Sequence, residues 1–408
     1  MIPGMKLNFF AFAVPLFLFF MLLEYYVSRK KKLSTHRLEE SVANLNVGIA
    51  ERLTDLLTTG AFFFVFTWVH DHFAIFNIKA NLATWILLFI CTDLAWYWYH
   101  RYGHQVNLLW SAHVVHHQSN DFNYTVSARI TIFQAVIRGV FWSALPLIGF
   151  PPGMIAAFLL VHGIYPFFTH TELIGKLGWL EYIIVTPSHH RVHHSSNPEY
   201  LDKNYGDMLI IWDKLFGTFA GEKTKPVYGL TSPVTSYSFL WQHFHFFLEM
   251  IIAFRLAKGF RNKLKIIFGK PGNINPNIRV LLERKILSRS NYTQQPSKFI
   301  RRLVTVQTVT TLIILFFTIL LVNYISAAQL TTLALFIFIS VINSGAIIEQ
   351  KKWVFHLDYL RMVLVTAFLY TLHPYPYVIY AAVFALSCIL AFYRSVSSWY
   401  YAQLYSYS

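Results

Sequence analysis

Residues 82–104 read LATWILLFICTDLAWYWYHRYGH, an apolar run that ends in two histidines. Residues 82–100 are long enough to cross about 30 Å of hydrocarbon as a helix. Comparable apolar windows occur at 7–27, 56–76, 303–323, 326–348, 353–372 and 376–393. The sequence therefore predicts an all-α protein, a polytopic integral membrane helical bundle.

The composition supports a membrane protein. Of the 408 residues, 55% are hydrophobic and 13% are charged, whereas soluble domains carry about 25% charged residues. The two cysteines, Cys91 and Cys388, both lie in apolar stretches, which excludes a disulfide scaffold and a thiolate metal site.

A further apolar stretch, 135–168, is interrupted in its middle. Residues 149–153 read GFPPG, and this combination of glycine and proline does not continue a helix. We therefore predict a hairpin of two shorter helices, folded back on each other.

The distribution of positive charge predicts the orientation. Residues 29–32 read RKKK directly after the first window, and 258–302 contain twelve Lys or Arg against one acidic residue, Glu283. Both basic segments belong on the cytoplasmic side, and the first window is a retained anchor rather than a signal peptide. The histidines then form a cytoplasmic cap, and the charge fits anionic lipid better than nucleic acid.

Eleven of the 18 histidines lie between His100 and His194, and most of them form three boxes. The first is HRYGH at 100–104, and the next two repeat one spacing, HVVHH at 113–117 and HRVHH at 190–194. On a helix, positions i and i+3 or i+4 bring two imidazoles side by side, while the adjacent histidine points towards a second ion. The predicted ligands of two metal ions are His100, His104, His113, His116, His117, His170, His190, His193 and His194.

Three neighbouring residues are predicted to support the ligands or to join them. Asp93 lies two turns before His100 and is costly in a membrane span without a partner, so we expect it to accept from an imidazole N–H. His189 and His162 are further candidates. In contrast, His243 and His245 lie in an aromatic segment that we interpret as an interfacial helix.

The donor set leaves the metal open between several ions. The two longer boxes contain no carboxylate base of the kind that zinc hydrolysis needs, so iron and oxygen chemistry fits better. The sequence shows no G-x-G-x-x-G before a helix and no haem attachment motif, which predicts an external electron donor.

The three boxes, in this order with a hairpin between the second and third, resemble the fatty acid hydroxylase and sterol desaturase superfamily of membrane di-iron enzymes. The resemblance covers roughly residues 40–235 and includes NYGDMLIIWDKLFGTF at 204–219. Within the superfamily, the chain is most similar to members that act on alkylglycerol ether lipids. The resemblance implies the same histidines as ligands of two Fe ions, O₂ as co-substrate, and tetrahydrobiopterin or a reductase as the donor.

One position departs from those ether-lipid members. They typically carry a glutamate directly after the second histidine of the first box, associated with the pterin, and this chain has Gln105. A neutral amide binds an amino-pyrimidine edge more weakly than a carboxylate does. Gln105 is therefore a candidate contact of the reductant, whose identity stays open.

The resemblance also implies a division of the chain. It consists of an anchor (1–40), a fatty acid hydroxylase-like di-iron domain (41–235), a basic cytoplasmic or interfacial segment (236–302) and a four-span region (303–408). The predicted function is a membrane monooxygenase that hydroxylates a lipid C–H bond, in the endoplasmic reticulum or a bacterial inner membrane. The alternatives are a sterol or fatty-acyl hydroxylase or desaturase with a protein donor and, less favoured, a metal transporter.

Overall fold

The computed structural model describes residues 6–287, 296–372 and 375–405. Within these ranges all regular structure is helical, apart from two isolated bridges that join Ile184 to Leu209 and Ser195 to Tyr228. The α-helices are α1 (Ala13–Lys30), α2 (Leu38–Phe73), α3 (Leu82–Gln105), α4 (Asn107–His113), α5 (Tyr124–Ser127), α6 (Gln134–Trp142), α7 (Ala144–Ile148), α8 (Pro152–Ile164), α9 (Pro187–His193), α10 (Ile211–Leu215), α11 (Phe239–Leu256), α12 (Phe260–Phe268), α13 (Asn277–Ile286), α14 (Lys298–Leu320), α15 (Ala327–Ile348), α16 (Val354–Thr371), α17 (Pro376–Ala391) and α18 (Tyr393–Tyr405). The all-α prediction is confirmed.

Seven helices of the described chain are long and apolar enough to span a membrane, so this is a multi-pass membrane protein. Six of them correspond to predicted windows, namely α1 with its preceding turn, α2, α3, α14, α15 and α16. The seventh, Pro152–Thr169, is the second arm of the predicted hairpin. The predicted span at 376–393 corresponds to α17, which forms with α18 a pair bent by 90° that makes an eighth span if the pair is counted as one.

The two ends of the bundle can be distinguished by contacts between distant segments. Arg301 at the start of α14 pairs with Glu39 at the start of α2, at 2.8 Å, whereas the Asn8 N–H donates to the Leu320 carbonyl at the opposite end. Because α3 runs back after α2, its last turns reach the end that carries Glu39 and Arg301. The histidine-rich segments and the basic segments therefore share one end of the molecule.

The hairpin packs around α3. Leu88 and Trp96 of α3 share a buried core with Trp142 of the first arm and Met154 of the second. Gly149 turns the chain between the arms with φ +121°, and a Cβ there would collide with the backbone carbonyl of Phe76. The predicted break is thus a tight turn that only glycine fits.

Helix α11 packs part of its aromatic surface into the protein core. His243 and His245 are both buried, and Trp241 and Phe246 belong to a core that includes Val114 and Val115. The His245 Nδ1–H donates to Glu249 at 2.8 Å. Aromatic side chains suit a membrane interface and a protein core equally, so the position of α11 at a membrane interface stays a prediction.

The charged residues in the late spans form hydrogen bonds with one another and with neighbouring polar side chains. Arg361 donates to Asp358 at 2.8 Å and to Gln307 at 2.9 Å, and Asn343 donates to the same Asp358 oxygen. These bonds connect α14, α15 and α16 and remove the cost of unpaired polar groups in hydrocarbon.

Candidate metal centre

The structure brings all nine predicted ligand histidines together in two adjacent clusters. The five-histidine cluster consists of His100, His104, His113, His117 and His193, and the four-histidine cluster of His116, His170, His190 and His194. Within each cluster the ring nitrogens that can bind an ion lie within 4.8 Å of one another.

Local helical geometry divides each box between the clusters. His113 ends α4 and His117 ends the 3-10 turn Val114–His117, so these two face the five-histidine cluster while His116 faces the other. The third box does the reverse, because His190 and His194 face the four-histidine cluster and His193 faces the five-histidine cluster. The expected pattern of a pair plus one diverging histidine is what the structure shows.

The hydrogen bonds of the rings leave the other ring nitrogens free to bind metal. The Nδ1–H of His116 donates to the Arg129 carbonyl at 3.2 Å, and that of His170 donates to the Pro166 carbonyl at 2.6 Å. A neutral imidazole that donates through Nδ1 has a lone pair on Nε2. The Nε2 atoms of His116 and His170 nevertheless face each other at 3.2 Å.

The same arrangement recurs across the centre. The Nδ1–H groups of His100 and His193 donate to the carbonyls of Tyr205 and Lys203, each at 2.9 Å. The Nε2 atoms of His104 and His193 are buried and have no hydrogen-bond partner. Converging lone pairs repel unless a cation lies between them, so the donor set fits metal ions bound by imidazole.

Burial keeps these histidines uncharged. It lowers the pKa of His170 to about 4, and the pKa values of His116, His190 and His194 fall well below the usual 6.5 because of burial and neighbouring histidines. Metal binding needs the neutral form, so the site is ready to bind ions at neutral pH.

Asp93 and His162 lie together but outside both clusters. Asp93 accepts from the backbone N–H groups of Met208 and Leu209 and from the Trp212 indole, rather than from the imidazole of His100 as expected. His162 instead pairs through Nδ1 with Asp207 at 2.6 Å. Together with Asp207, these two residues form a third polar group near the metal centre.

His189 and Gln105 also have contacts that the sequence did not predict. The His189 Nδ1 accepts from the Thr186 backbone N–H as part of the cap of α9, and His189 lies outside both clusters. Gln105 hydrogen-bonds the Tyr205 hydroxyl, and the Tyr205 ring contacts the ring of His104.

Two buried arginines support the boxes and were missed from sequence. Arg129, 1% exposed, donates to the Val115 carbonyl, to Asn44 and to Gln118, and so fixes the second box. Arg191 pairs with both carboxylate oxygens of Glu222 at 3.0 and 2.7 Å. Its position inside HRVHH was the available signal, because a cation among buried ligands needs a carboxylate partner.

A cavity of about 200 Å³ connects the centre to the spanning helices. His100, His113, His116, His170 and His190 line one part of it. Another part is apolar and is formed by Phe17, Leu18 and Met21 of α1 and by Leu312 and Leu315 of α14. A lining of this kind, apolar with a few polar groups, suits an apolar ligand.

Comparison with known proteins agrees with this geometry. A sequence profile of the fatty acid hydroxylase family matches residues 85–218. The chain is 38% identical to alkylglycerol monooxygenase of Homo sapiens over 64% of its own length and 59% of the human protein. It is 32% identical to alkylglycerol monooxygenase of Danio rerio over 90% of its length and 82% of that protein.

A more distant relative is the ornithine lipid hydroxylase of Rhizobium tropici, 30% identical over 33% of the chain and 41% of that protein. No solved structure shows a significant match. The similarity over nearly the whole chain confirms the predicted family and enzyme class, a monooxygenase among the fatty acid hydroxylases. The chain therefore belongs to the alkylglycerol monooxygenase family.

Proposed function

We propose that this protein uses O₂ to hydroxylate the carbon next to the ether oxygen of an alkylglycerol. The observation that carries the proposal is the pair of histidine clusters at the end of an apolar cavity. The names of the relatives support the substrate class.

The donor set and the family support two iron ions, one in each cluster. When bound, the two ions would supply the reductive activation of O₂ that C–H hydroxylation requires. The protein holds nine imidazoles and fixes several of them through bonds from Nδ1 to carbonyls. Five of them are buried, namely His117, His170, His190, His193 and His194.

The overall reaction is balanced by two electrons and two protons. One oxygen atom of O₂ enters the C–H bond and the other leaves as water. The product carries a hydroxyl and an ether oxygen on one carbon, which makes it a hemiacetal. It breaks down to a fatty aldehyde and glycerol.

The electrons come from outside the chain in this proposal, from a tetrahydropterin or a reductase. We place the donor at the end of the bundle where α3 finishes, near Gln105. The basic segments at this same end support a cytoplasmic location for the metal centre, in the endoplasmic reticulum or a bacterial inner membrane.

The test is aldehyde release from a labelled alkylglycerol by membranes that contain the protein, with O₂ and a tetrahydropterin. His194→Ala removes one ligand of the four-histidine cluster and should abolish release. His72→Ala is the control, because His72 is exposed and its ring bonds the Trp68 carbonyl. Release that survives His194→Ala, or a hydroxylated lipid with an intact ether, would contradict the proposal, and the latter would favour a fatty-acyl or sterol hydroxylase.

A further inference from the structure

The cavity beside the metal centre contains polar groups that have no partner within the protein. Gln134 and Tyr99 both line the cavity and are each 8% exposed. Among the described residues, neither the Gln134 amide nor the Tyr99 hydroxyl makes a hydrogen bond. Polar groups that line a cavity and have no partner in the protein are available to hydrogen-bond a ligand there.

Charged side chains line the same part of the cavity. Glu51 and Arg52 of α2 and Arg138 of α6 are among the lining residues. Arg52 lies 3.0 Å from Asp55 and 3.5 Å from Glu51, and Arg138 lies 3.5 Å from Asp55. Two cations and two anions thus form a balanced group beside the cavity, in which the Arg52 side chain is 44% exposed and the Glu51 side chain is 7% exposed.

We propose that Glu51, Tyr99, Gln134 and Arg138 bind the head group of the lipid substrate and select an uncharged head that carries hydroxyl groups. The proposal rests on the proposed function, and it adds which residues recognise the substrate. Hydroxyls both donate and accept, so they match a carboxylate, an amide, a phenol and a guanidinium at once.

The charge balance argues against an anionic head. Arg52 and Arg138 both already have carboxylate partners. A phosphate would have to compete with Asp55 for these guanidinium groups, and Glu51 would repel it. A neutral head group with several hydroxyls neither competes with Asp55 for the guanidinium groups nor is repelled by Glu51.

The position of the group also fits the reaction. Tyr99 and His100 both line the cavity, so the head group would share this cavity with a histidine of the five-histidine cluster. The apolar part of the cavity, with Phe17 and Leu315, would take the alkyl chain. The ether carbon lies between head and chain, which places it near the ligand histidines.

The test measures binding of three lipids with the same alkyl chain to the purified full-length protein in detergent. The lipids are hexadecylglycerol, hexadecyl phosphate and hexadecyl methyl ether. The wild type should bind hexadecylglycerol most tightly. Gln134→Leu and Glu51→Gln should each weaken this binding about tenfold, since a hydrogen bond in such a site contributes on the order of 1 kcal/mol or more. Binding of the methyl ether should not change.

Thermal stability separates recognition from a structural role. Gln134→Leu removes an unpaired buried amide, so the variant should melt at the same temperature as the wild type or higher. Gln242→Leu is the matched control, because Gln242 is equally buried, donates to the Ser236 carbonyl at 2.9 Å and does not line the cavity. It should melt at a lower temperature and keep the head-group preference.

Two results would overturn the inference. One is unchanged hexadecylglycerol binding by Gln134→Leu and Glu51→Gln, and the other is tighter binding of hexadecyl phosphate than of hexadecylglycerol. Because binding is measured without turnover, a protein that binds hexadecylglycerol selectively but releases no aldehyde would refute the proposed reaction and leave this inference standing.

Discussion

Removing one histidine at a time should affect the two clusters unequally. The five-histidine cluster keeps four imidazoles after His104→Ala, whereas the four-histidine cluster keeps only three after His194→Ala. After His104→Ala the five-histidine cluster still offers as many imidazoles as the intact four-histidine cluster, whereas His194→Ala leaves the four-histidine cluster with one fewer than that. We therefore expect His104→Ala to retain about two metal ions per chain and His194→Ala to retain about one.

The size of the effect can be bounded from the contacts. Loss of a residue that only orients a ligand lowers metal affinity about 10–100-fold. His194 contributes a ligand nitrogen itself, with Nε2 at 3.2 Å from that of His190, so its loss should cost more than about 100-fold. His104→Ala should cost less, because a full set of ligands remains.

The assay is metal analysis by mass spectrometry after equilibration of each purified variant with graded concentrations of a chelator. His243→Ala is the control, because His243 is equally buried, donates through Nδ1 to the Phe239 carbonyl and has an unpartnered Nε2, yet lies outside both clusters. Parallel metal loss by His104→Ala and His194→Ala would refute the assignment of separate clusters, as would comparable loss by His243→Ala.

Three further predictions follow from the supporting residues. Burial holds the pKa values of the histidines in the four-histidine cluster below 6.5, with His170 at about 4. Below about pH 6.5 the unfolded protein therefore binds more protons than the folded protein. Melting temperature of the metal-free protein should therefore fall as the pH drops from 6.5 to 4 and stay level above 6.5, with a shallower slope for His170→Ala. Arg129→Leu leaves the side-chain oxygens of Asn44 and Gln118 without their donor and removes one of the two donors to the Val115 carbonyl. It should lower stability by about 2 kcal/mol or more, seen as a lower melting temperature; an unchanged value would contradict its role. Gln105→Glu should raise aldehyde release at limiting tetrahydropterin with equal metal content, and no rise would favour a protein donor.

The clustering of the eight histidines in the three boxes could be predicted from sequence because their spacing is local. The i, i+4 pairs of the first and third boxes lie within single helices or their caps, so helical periodicity alone brings their rings together. His170 was harder to assign, since it follows the 3-10 turn Tyr165–Thr169 and joins its cluster through tertiary packing.

The partners of buried polar residues could not be predicted in the same way. Asp93 bonds the backbone of Met208, which is 115 residues away in sequence, and His162 bonds Asp207, 45 residues away. Nothing local distinguishes these partners from the nearer His100. The energetic cost of a carboxylate in a membrane span correctly indicated that Asp93 has hydrogen-bond partners. Long-range packing determined which groups these partners are.

The stretch after the last box explains why the family similarity extends beyond the histidines, to residue 218. The carbonyls of Lys203 and Tyr205 accept the Nδ1–H groups of His193 and His100. Asp213 in turn accepts the backbone N–H groups of Tyr205 and Gly206 and the hydroxyl of Thr218, at 2.6–2.7 Å.

This loop therefore sets the orientation of two rings in the five-histidine cluster without contributing a ligand. A metal-bound imidazole is held in place by the acceptor on its second nitrogen, and here that acceptor is backbone whose position depends on Asp213. No side-chain substitution removes the backbone carbonyl of Tyr205. Loss of the Asp213 carboxylate, which accepts the Tyr205 N–H, can change the position of this carbonyl. The carboxylate of Asp213 is thus coupled to the metal centre through the backbone, which explains why a loop with no histidine belongs to the same family pattern as the boxes.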